Sequence, residues 1–385
     1  MKLWEVFLYE FNYMFRQERK IALILLGLPL IFSLLFGFVY QSNVVKYVPT
    51  VIYDQDQSTA SRQLVQAFAD SERYEVVGQV TTQEEMEEYL RNNRALASVT
   101  IPSHFSRDIK LGISSQVLVQ VNGANLMFAN GVISTSQELV QTFSAGTAVR
   151  LIEATGQLPG EAKQKAAPIR MGIRIINNPT FSYSNFILAG MGINGVQLAI
   201  MLAICGVFVR DRSNRTFSAP LLTVGKLLPY WLGGFLAYGL SLLITIGFFQ
   251  VPVRGDLFSL LILGGAFSFA VVGVGALYSA LAPDEVYAIQ LPMLYIMPSF
   301  LYSGYSWPHM AMGDFASTLS ALMPITYAAD SLRDLLLAGY SPALYKNSFI
   351  LVVFGLVLSG IAALLFHYQR RKLERRPSHD LVEHC

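Results

Sequence analysis

Charge is scarce in this chain of 385 residues, and it is unevenly placed. Only 14% of the residues are Asp, Glu, Lys or Arg, whereas an average soluble globular protein carries roughly 25%. Residues 54–115 are as polar as a soluble protein, but 186–209 and 349–367 contain none of these four residue types. A single soluble core does not explain that contrast. It indicates membrane-spanning segments that alternate with one water-exposed domain.

Cysteine is also scarce. The two cysteines are Cys205, inside an apolar stretch, and Cys385, the last residue. Neither lies in the polar region, so we predict no disulfide framework there. The basic residues cluster at the ends of apolar stretches and form no continuous stripe, and we therefore predict no nucleic-acid partner.

Catalytic motifs are missing from the sequence. It contains no P-loop, because Gly225-Lys226 is followed by Leu227 and Pro220 stands where the first glycine is required. The histidines are scattered, and no Ser, His and Asp set predicts nucleophilic catalysis. We therefore predict no catalytic residue, no metal site and no cofactor. The apolar stretches also carry no mid-span charge, which ion-coupled transporters usually need. If the protein moves a solute, its energy comes from elsewhere.

Six apolar stretches are each about long enough to cross a hydrocarbon core of roughly 30 Å. They predict spans at 21–40, 186–209, 227–249, 258–282, 286–305 and 349–367. We interpret the first stretch as an uncleaved anchor. Its uncharged run of about 20 residues is longer than the apolar segment of a signal peptide, which has roughly 7–15 residues. Pro283-Asp284-Glu285 predicts a tight hairpin between the fourth and fifth spans. Residues 306–348 predict one or two apolar helices that dip into the outer leaflet.

Residues 1–20 predict an amphipathic helix that lies in the membrane interface. Large apolar residues recur at helical spacing, and the charged residues fall elsewhere on the helical wheel. The alternative, a frayed cytosolic tail, would leave these apolar groups in water. The apolar set is Leu3, Trp4, Phe7, Leu8, Phe11, Met14 and Phe15, and the charged set is Glu5, Glu10 and Arg16.

The orientation of the spans follows from Lys and Arg in their flanks, which favour the cytoplasmic side. Thirteen such residues lie in the segments on the side of the N-terminus, whereas the short loops on the other side carry only three. Both termini are therefore predicted to be cytoplasmic, with 368–385 as a basic tail and 41–185 facing outward. The inner residues are Lys2, Arg16, Arg19, Lys20, Arg210, Arg212, Arg215, Lys226, Arg370, Arg371, Lys372, Arg375 and Arg376, and the outer ones are Arg254, Arg333 and Lys346.

The region 41–185 alternates between strand and helix patterns. Strands are predicted at 48–53, 74–77, 95–101 and 116–121, with helices at 58–70 and 82–92 and a third opening at 102–105. This order predicts a small α/β domain with a partly parallel sheet. Residues 124–155 predict one long, stalk-like helix, and 156–170 a loop rich in Gly, Pro and Lys.

The segment 210–226 lies between the second and third predicted spans. It carries Arg and Asp at its start and Gly225-Lys226 at its end. Two interpretations of this pattern remain equally open. A short helix here could dock on a partner protein, or the segment is an ordinary basic cytoplasmic loop.

Several motifs, taken in order, resemble one known family. Arg215-Thr216 with Leu221-Leu222, and then Gly225 to Tyr230 with Pro229, resemble the loop and third-span start of ABC-2-type permeases, the membrane subunits of type-2 ABC exporters. Val251-Pro252-Val253-Arg254-Gly255 resembles their outer turn. Ser303-Gly304-Tyr305-Ser306-Trp307-Pro308 and Pro324-Ile325-Thr326-Tyr327, followed by Arg333, resemble two later motifs. The start of the outer domain and 101–106 resemble the branch that carries a long extracytoplasmic domain.

The resemblance implies a fold and a function. It implies a helical membrane protein with six transmembrane helices and an extracytoplasmic α/β domain inserted between the first and second, in a bacterial inner membrane. Its partners would be separate ABC ATPase subunits, a second permease chain, the lipid bilayer and a periplasmic adaptor, and its substrates drugs or other amphiphilic compounds. A membrane scaffold or receptor that binds a ligand outside is the alternative. The implied ATPase-coupling residues are Arg210, Asp211, Arg212, Arg215, Thr216, Leu221, Leu222, Gly225 and Lys226, and the other motif positions are Pro229, Tyr230, Ser303, Gly304, Pro308, Pro324, Thr326, Tyr327 and Arg333.

Overall fold

A computed structural model of the chain describes residues 3–41, 45–124, 126–154, 176–179, 182–212 and 219–374. The chain divides into two compact units. One comprises Met1–Asn43 and Ile175–Cys385, and the other is Val44–Arg174. Each unit has its own hydrophobic core.

The elements of both units follow one another along the chain. In chain order they are α1 (Leu3–Asn12), a π-helix (Tyr13–Gln17), α2 (Arg19–Val39), β1 (Val48–Asp54), α3 (Thr59–Ala69), β2 (Tyr74–Val80), α4 (Gln83–Arg91), β3 (Ala97–Ile101), α5 (Phe105–Lys110), β4 (Leu118–Val121), α6 (Leu126–Glu153), α7 (Tyr183–Ile204), α8 (Ala219–Gly247), α9 (Leu257–Leu281), α10 (Glu285–Tyr302), a 3-10 helix (His309–Ala311), α11 (Asp314–Ala321), α12 (Pro324–Leu337) and α13 (Leu344–Glu374).

Five helices among the described residues are long and apolar enough to cross a membrane. They lie at Arg19–Val39, Tyr183–Ile204, Thr223–Gly247, Leu257–Leu281 and Leu344–Lys372, and they overlap five of the six predicted spans. The predicted span 286–305 corresponds to α10, which has 18 residues and contains Pro292 and Pro298. It does not reach the hydropathy of the other five, so the sixth span stays a prediction.

The helix ends differ from the predicted span ends. Helix α8 begins at Ala219, so residues 219–226, for which a short helix and an ordinary loop were both left open, are helical and continuous with the third span. Helix α13 runs from Leu344 to Glu374 and extends past both ends of 349–367. The physical reason is that hydropathy marks the part of a helix that suits lipid, whereas backbone hydrogen bonding continues into the polar flanks.

Side-chain caps end or begin several of these helices. The Asp256 carboxylate accepts from the Ser259 amide at 2.8 Å at the start of α9. Asp284 accepts from the amides of Val286 and Tyr287 at 2.9 and 3.0 Å at the start of α10. These bonds satisfy amide groups that have no partner within the helix. The Asp284 bonds allow α10 to begin directly after a three-residue connection from α9.

The core of the helical unit is formed around α7 and α9. Helix α7 buries Ile193, Val196 and Ile200 completely or almost so. Helices α9 and α13 approach closely, because a Cβ added at Gly273 would lie 2.8 Å from the Gly355 carbonyl oxygen. In lipid, the hydrophobic effect does not drive helices together, so their association depends on close packing. Small residues such as glycine allow the two backbones to come into contact.

The second unit contains a four-stranded sheet in the order β2-β1-β3-β4. β1 pairs parallel with β2 and β3, and β4 pairs antiparallel with β3. Helix α6 packs against the sheet at Tyr74 of β2. The Tyr74 hydroxyl donates to the Val132 carbonyl at 2.9 Å and lies within hydrogen-bonding distance of Ser136 Oγ, at 2.7 Å. The predicted loop 156–170 lies outside the described residues.

Candidate functional site

Four charged side chains and one tyrosine meet in a buried ionic cluster, defined as Glu10, Arg210, Asp211, Lys226 and Tyr230. Arg210 Nη2 donates to both carboxylate oxygens of Glu10 at 2.8 Å. Lys226 Nζ donates to Glu10 Oε2 at 3.2 Å, and the Tyr230 hydroxyl donates to Oε1 at 3.0 Å. Asp211 Oδ2 accepts from Lys226 Nζ and, at 3.0 Å, from Arg210 Nη2.

Three separate elements supply the ionic cluster. Glu10 is on α1, and Arg210 and Asp211 lie in the turn that follows α7. Lys226 and Tyr230 are four positions apart on α8, a spacing that places two side chains on one helix face. The cluster therefore fastens α1 to the end of α7 and to the first turns of α8.

The cluster is shielded from water. Glu10 is fully buried, the Lys226 side chain is 1% exposed and that of Asp211 is 7% exposed. An isolated charge in such a place is very unfavourable. Here two carboxylates face two cations, so the formal charges of the cluster sum to zero and each charge has hydrogen-bonding partners.

Arg210 remains a cation inside the cluster. Burial by itself would lower the pKa of its guanidinium, but the Glu10 carboxylate more than offsets this, and the pKa is raised above its ordinary value. The guanidinium also lies over the Tyr13 ring, 3.7 Å from the ring centre. Contact with an aromatic face adds to the stabilisation of the cation.

Glu10 is a site residue that was not predicted from the sequence. Its charge placed it away from the predicted apolar face of α1, yet Val6, Glu10 and Met14 are fully buried, at successive four-residue spacings. Trp4 is 62% and Phe11 42% exposed, so much of the predicted apolar face of α1 points away from the rest of its unit. The four-residue spacing of Val6, Glu10 and Met14 could have indicated a buried face of α1. Because Glu10 is acidic, it was instead predicted to lie on the polar face.

The other predicted coupling residues near the cluster have separate contacts. Gly225 lies against α1, because a Cβ added there would come within 2.7 Å of the Val6 side chain. Arg212 donates to the carbonyl oxygens of Pro283 at 3.1 Å and Ala282 at 2.6 Å, which connects it to the turn between α9 and α10. Pro229 is buried in α8.

Four predicted coupling residues fall wholly or partly outside the described residues. Arg215 and Thr216 lie in the stretch 213–218, and the side chains of Leu221 and Leu222 are not described, although their backbone belongs to α8. Contact of any of the nine residues with an ATPase stays a prediction. The described charged members Arg210, Asp211 and Lys226 point into the ionic cluster.

The later motif positions come together near the other end of α7. Gly304 has φ of +85°, a conformation that favours glycine. The Arg333 guanidinium lies 5.2 Å from the centre of the Tyr305 ring, and the Tyr305 hydroxyl donates to the Phe186 carbonyl oxygen at the start of α7. We call Ser303, Gly304, Tyr305 and Arg333 the aromatic–arginine cluster.

The remaining motif residues join the segment after α10 to α11 and α12. Thr326 Oγ1 donates to the Ser320 carbonyl oxygen at 2.8 Å, and Ser320 Oγ lies 3.4 Å from His309 Nδ1. Tyr327 donates to the Ala321 carbonyl at 2.9 Å. Pro308 precedes the 3-10 helix, and Pro324 occupies the first position of α12.

The two clusters contact opposite ends of the same helix. Helix α7 has 22 residues, which corresponds to roughly 33 Å at 1.5 Å per residue. Five membrane-length helices among the described residues, together with a separate α/β unit, indicate a multi-span membrane protein.

Comparison with known proteins identifies the family. The family model of the ABC-2 family transporter proteins matches residues 19–364. The chain therefore belongs to the ABC-2 family, as its motifs predicted, and is a transport subunit rather than an enzyme.

Individual relatives agree with this assignment. The chain is 24% identical over 359 residues to a protein of Escherichia coli named a probable multidrug ABC transporter permease, YbhR, covering 90% of this chain and 93% of that one. It is 24% identical over 330 residues to the inner membrane transport permease YhhJ of the same organism, covering 83% and 84%. YbhS, also named a probable multidrug permease, is 26% identical over 203 residues, which is 49% of this chain and 52% of YbhS.

Proposed function

We propose that this chain is the permease subunit of an ATP-driven exporter. The observation that carries the proposal is the ionic cluster, in which Arg210 and Lys226, from the two ends of the predicted 210–226 coupling region, both bind Glu10 on α1. A region that receives force from another protein needs a firm connection to the helices that must move. Family membership supports the same function.

The proposed membrane arrangement has six spans. Helix α10 is the fifth, since its 18 residues reach about 27 Å, close to the roughly 30 Å of a hydrocarbon core. The Lys and Arg distribution supports cytoplasmic termini and an outward α/β domain at 41–185, between the first and second spans. On this arrangement the ionic cluster lies at the cytoplasmic side and the aromatic–arginine cluster at the outer side.

ATP hydrolysis is proposed to occur in separate ABC ATPase subunits. The chain has no P-loop, so a partner must supply the nucleotide site. Because Arg210, Asp211 and Lys226 are turned into the ionic cluster, they hold the coupling region in place instead of contacting the ATPase.

The proposed substrates are drugs or other amphiphilic compounds, passed through a dimer of this chain with a second copy or a similar permease. The names of YbhR and YbhS, each called a probable multidrug ABC transporter permease, support a multidrug role. A periplasmic adaptor is the proposed partner of the outer domain. Absence of mid-span charge in the predicted spans supports an external energy source.

A membrane receptor or scaffold is the second candidate. A cavity of about 340 Å³ in the α/β unit favours it, because Phe105, Phe143 and Leu151 line its wall and Ser114 and Ser144 supply hydroxyl groups. Such a mixture suits an uncharged amphiphile. A receptor of this kind would need no ATPase.

Co-purification and transport distinguish the two candidates. The tagged full-length chain is isolated from its native membranes in lipid nanodiscs and searched for an ABC ATPase with nucleotide turnover. The complex is then placed in vesicles, and ATP-dependent export of the dye Hoechst 33342 is measured. An ATPase and export support the exporter. A chain that yields neither an ATPase nor nucleotide-dependent export contradicts it and favours the receptor.

A further inference from the structure

The contacts of Glu10 are directional. Its Oε1 accepts from Tyr230 and Arg210, whereas Oε2 accepts from Lys226 and Arg210. Both oxygens are therefore satisfied by donors from two other elements. If α1 shifted by one residue along α8, these contacts would be lost and buried charges would be left without partners.

Simple stability does not explain a cluster of this kind. Replacing buried ion pairs with well-packed apolar residues is often neutral or stabilising, so a buried pair is weak evidence of stabilisation, and in some proteins such a pair specifies the arrangement of the elements that it joins. The surrounding packing is already close, because a Cβ at Gly225 would come within 2.7 Å of Val6. Glu10 fixes the register of α1 against α8 at that apolar contact.

Helix α1 is joined firmly to the first predicted span. The π-helix Tyr13–Gln17 follows α1 directly, and Glu18 is the single residue between it and α2. The Glu18 amide donates to the Tyr13 carbonyl at 2.8 Å, and the Ile21 amide donates to the Glu18 carbonyl at 2.9 Å. A displacement of α1 is therefore passed to α2.

Helix α2 also contacts α8 further along. Ser33 Oγ lies 2.8 Å from Ser241 Oγ in a buried hydrogen bond between the two helices. Helices α1, α2 and α8 are thus connected by polar contacts at two levels, the ionic cluster and the serine pair. These contacts favour movement of the three helices as one body.

We propose that Glu10 is a positioning residue that makes α1 and the first predicted span follow the displacement of α8 when an ATPase acts on the coupling region. This inference rests on the proposed exporter function. Glu10 does not contact ATP or the ATPase in this mechanism. It acts by holding Arg210 and Lys226, so that force applied near the start of α8 moves α1 and α2 and is not lost between the helices.

The test uses the co-purified complex of the full chain and its ATPase in vesicles, with Hoechst 33342 as the transported probe. Glu10→Gln keeps the size and removes the charge, and Glu5→Gln is the matched control on the exposed side of α1. Tyr230→Phe removes only the hydroxyl that donates to Glu10. ATP turnover, dye export and the assembly of the complex are measured for each variant.

Glu10→Gln is expected to lower the dye exported per ATP hydrolysed about tenfold, because hydrogen bonds to charged groups are among the stronger ones. ATP turnover is expected to remain within about twofold of the unaltered complex, since the nucleotide site is in the partner. Tyr230→Phe is expected to lower the ratio about threefold, because one donor to the carboxylate is lost. Glu5→Gln is expected to leave the ratio unchanged.

A purely structural role predicts a different pattern. Export and ATP turnover would then fall together with the yield of complex, and their ratio would stay constant, which overturns the inference. If Glu10→Gln fails to accumulate, Tyr230→Phe decides, and an unchanged ratio in that variant overturns the inference as well. Absence of ATP-driven export by the unaltered complex is a separate result, because it contradicts the exporter function itself.

Discussion

Arg210 and Glu10 are separated by 200 positions in the sequence, yet Arg210 Nη2 lies 2.8 Å from both oxygens of the Glu10 carboxylate. The contact joins an N-terminal helix that comes before the first span to a turn that comes after the second. It also places a fully buried carboxylate within a helix whose residues look amphipathic in sequence.

The Glu10–Arg210 pair is expected to behave non-additively. Glu10→Gln and Arg210→Gln should each lower the free energy of unfolding by about 3–5 kcal/mol, because each leaves an uncompensated buried charge. The double variant should cost less than the sum, since the remaining Lys226 and Asp211 balance each other. Denaturant unfolding in bicelles measures all three. Strict additivity would contradict the pairing, and Glu5→Gln with the exposed Arg16→Gln is the additive control pair.

The contact between α1 and α8 is tested at Gly225. Gly225→Ala should destabilise the helical unit by about 1–3 kcal/mol, because the new methyl group meets the Val6 side chain in a packed site. Gly239→Ala in the same helix is the matched control, since a Cβ there would meet nothing within 4 Å. The control should be neutral or slightly stabilising. Equal thermal stability of the two variants in nanodiscs would argue against this packing.

The turn after α10 is tested at Gly304. Gly304→Ala should lower the free energy of unfolding by at least about 1–2 kcal/mol, because the left-handed conformation is unfavourable by that amount for an L-residue with a side chain. The cost should be increased by His309, which occupies the space of the added Cβ. Gly313→Ala is the control, because a Cβ at Gly313 meets no atom within 4 Å and its φ is −72°. Thermal unfolding followed by intrinsic fluorescence gives the comparison, and a Gly304 variant as stable as the control would contradict the turn conformation.

The attachment of α6 to the sheet is tested at Tyr74. Tyr74→Phe removes the hydroxyl that contacts the Val132 carbonyl and Ser136, and it should cost about 1–3 kcal/mol because buried groups lose a partner. Amide hydrogen exchange of the intact chain should accelerate in residues 126–153. Tyr47→Phe, at a side chain that is 61% exposed, should leave that exchange unchanged. Equal exchange in the two variants would mean that the hydroxyl contributes nothing to the attachment.

Hydropathy was sufficient to locate five membrane-length helices, because each holds a long run without charge and the cost of burying backbone in lipid allows few other structures. It did not locate the start of α8, where residues 219–226 are helical in a stretch of mixed polarity. It also predicted a span at 286–305, where α10 does not reach the hydropathy of the other five helices because prolines and polar side chains lower it, so that span stays a prediction.

The motif residues were predictable as a set, whereas their partners were not. Gly304 and Arg333 stand out in the sequence as members of two separate motifs. That Arg333 approaches Tyr305, the neighbour of Gly304 in the other motif, and that the Tyr305 hydroxyl reaches the start of α7, depends on how α10 and α12 fold back on α7. Nothing in the local sequence of either motif specifies that return.

The order of apolar and polar stretches by itself determined that this is a multi-span membrane protein, and the ordered motifs determined its ABC-2 family. Only the tertiary structure decided that Glu10 faces inward and that Arg210 and Lys226 form its partners. The physical reason is that hydropathy is a property of one segment, whereas the cost of a buried charge is cancelled by side chains that the fold brings from distant parts of the chain.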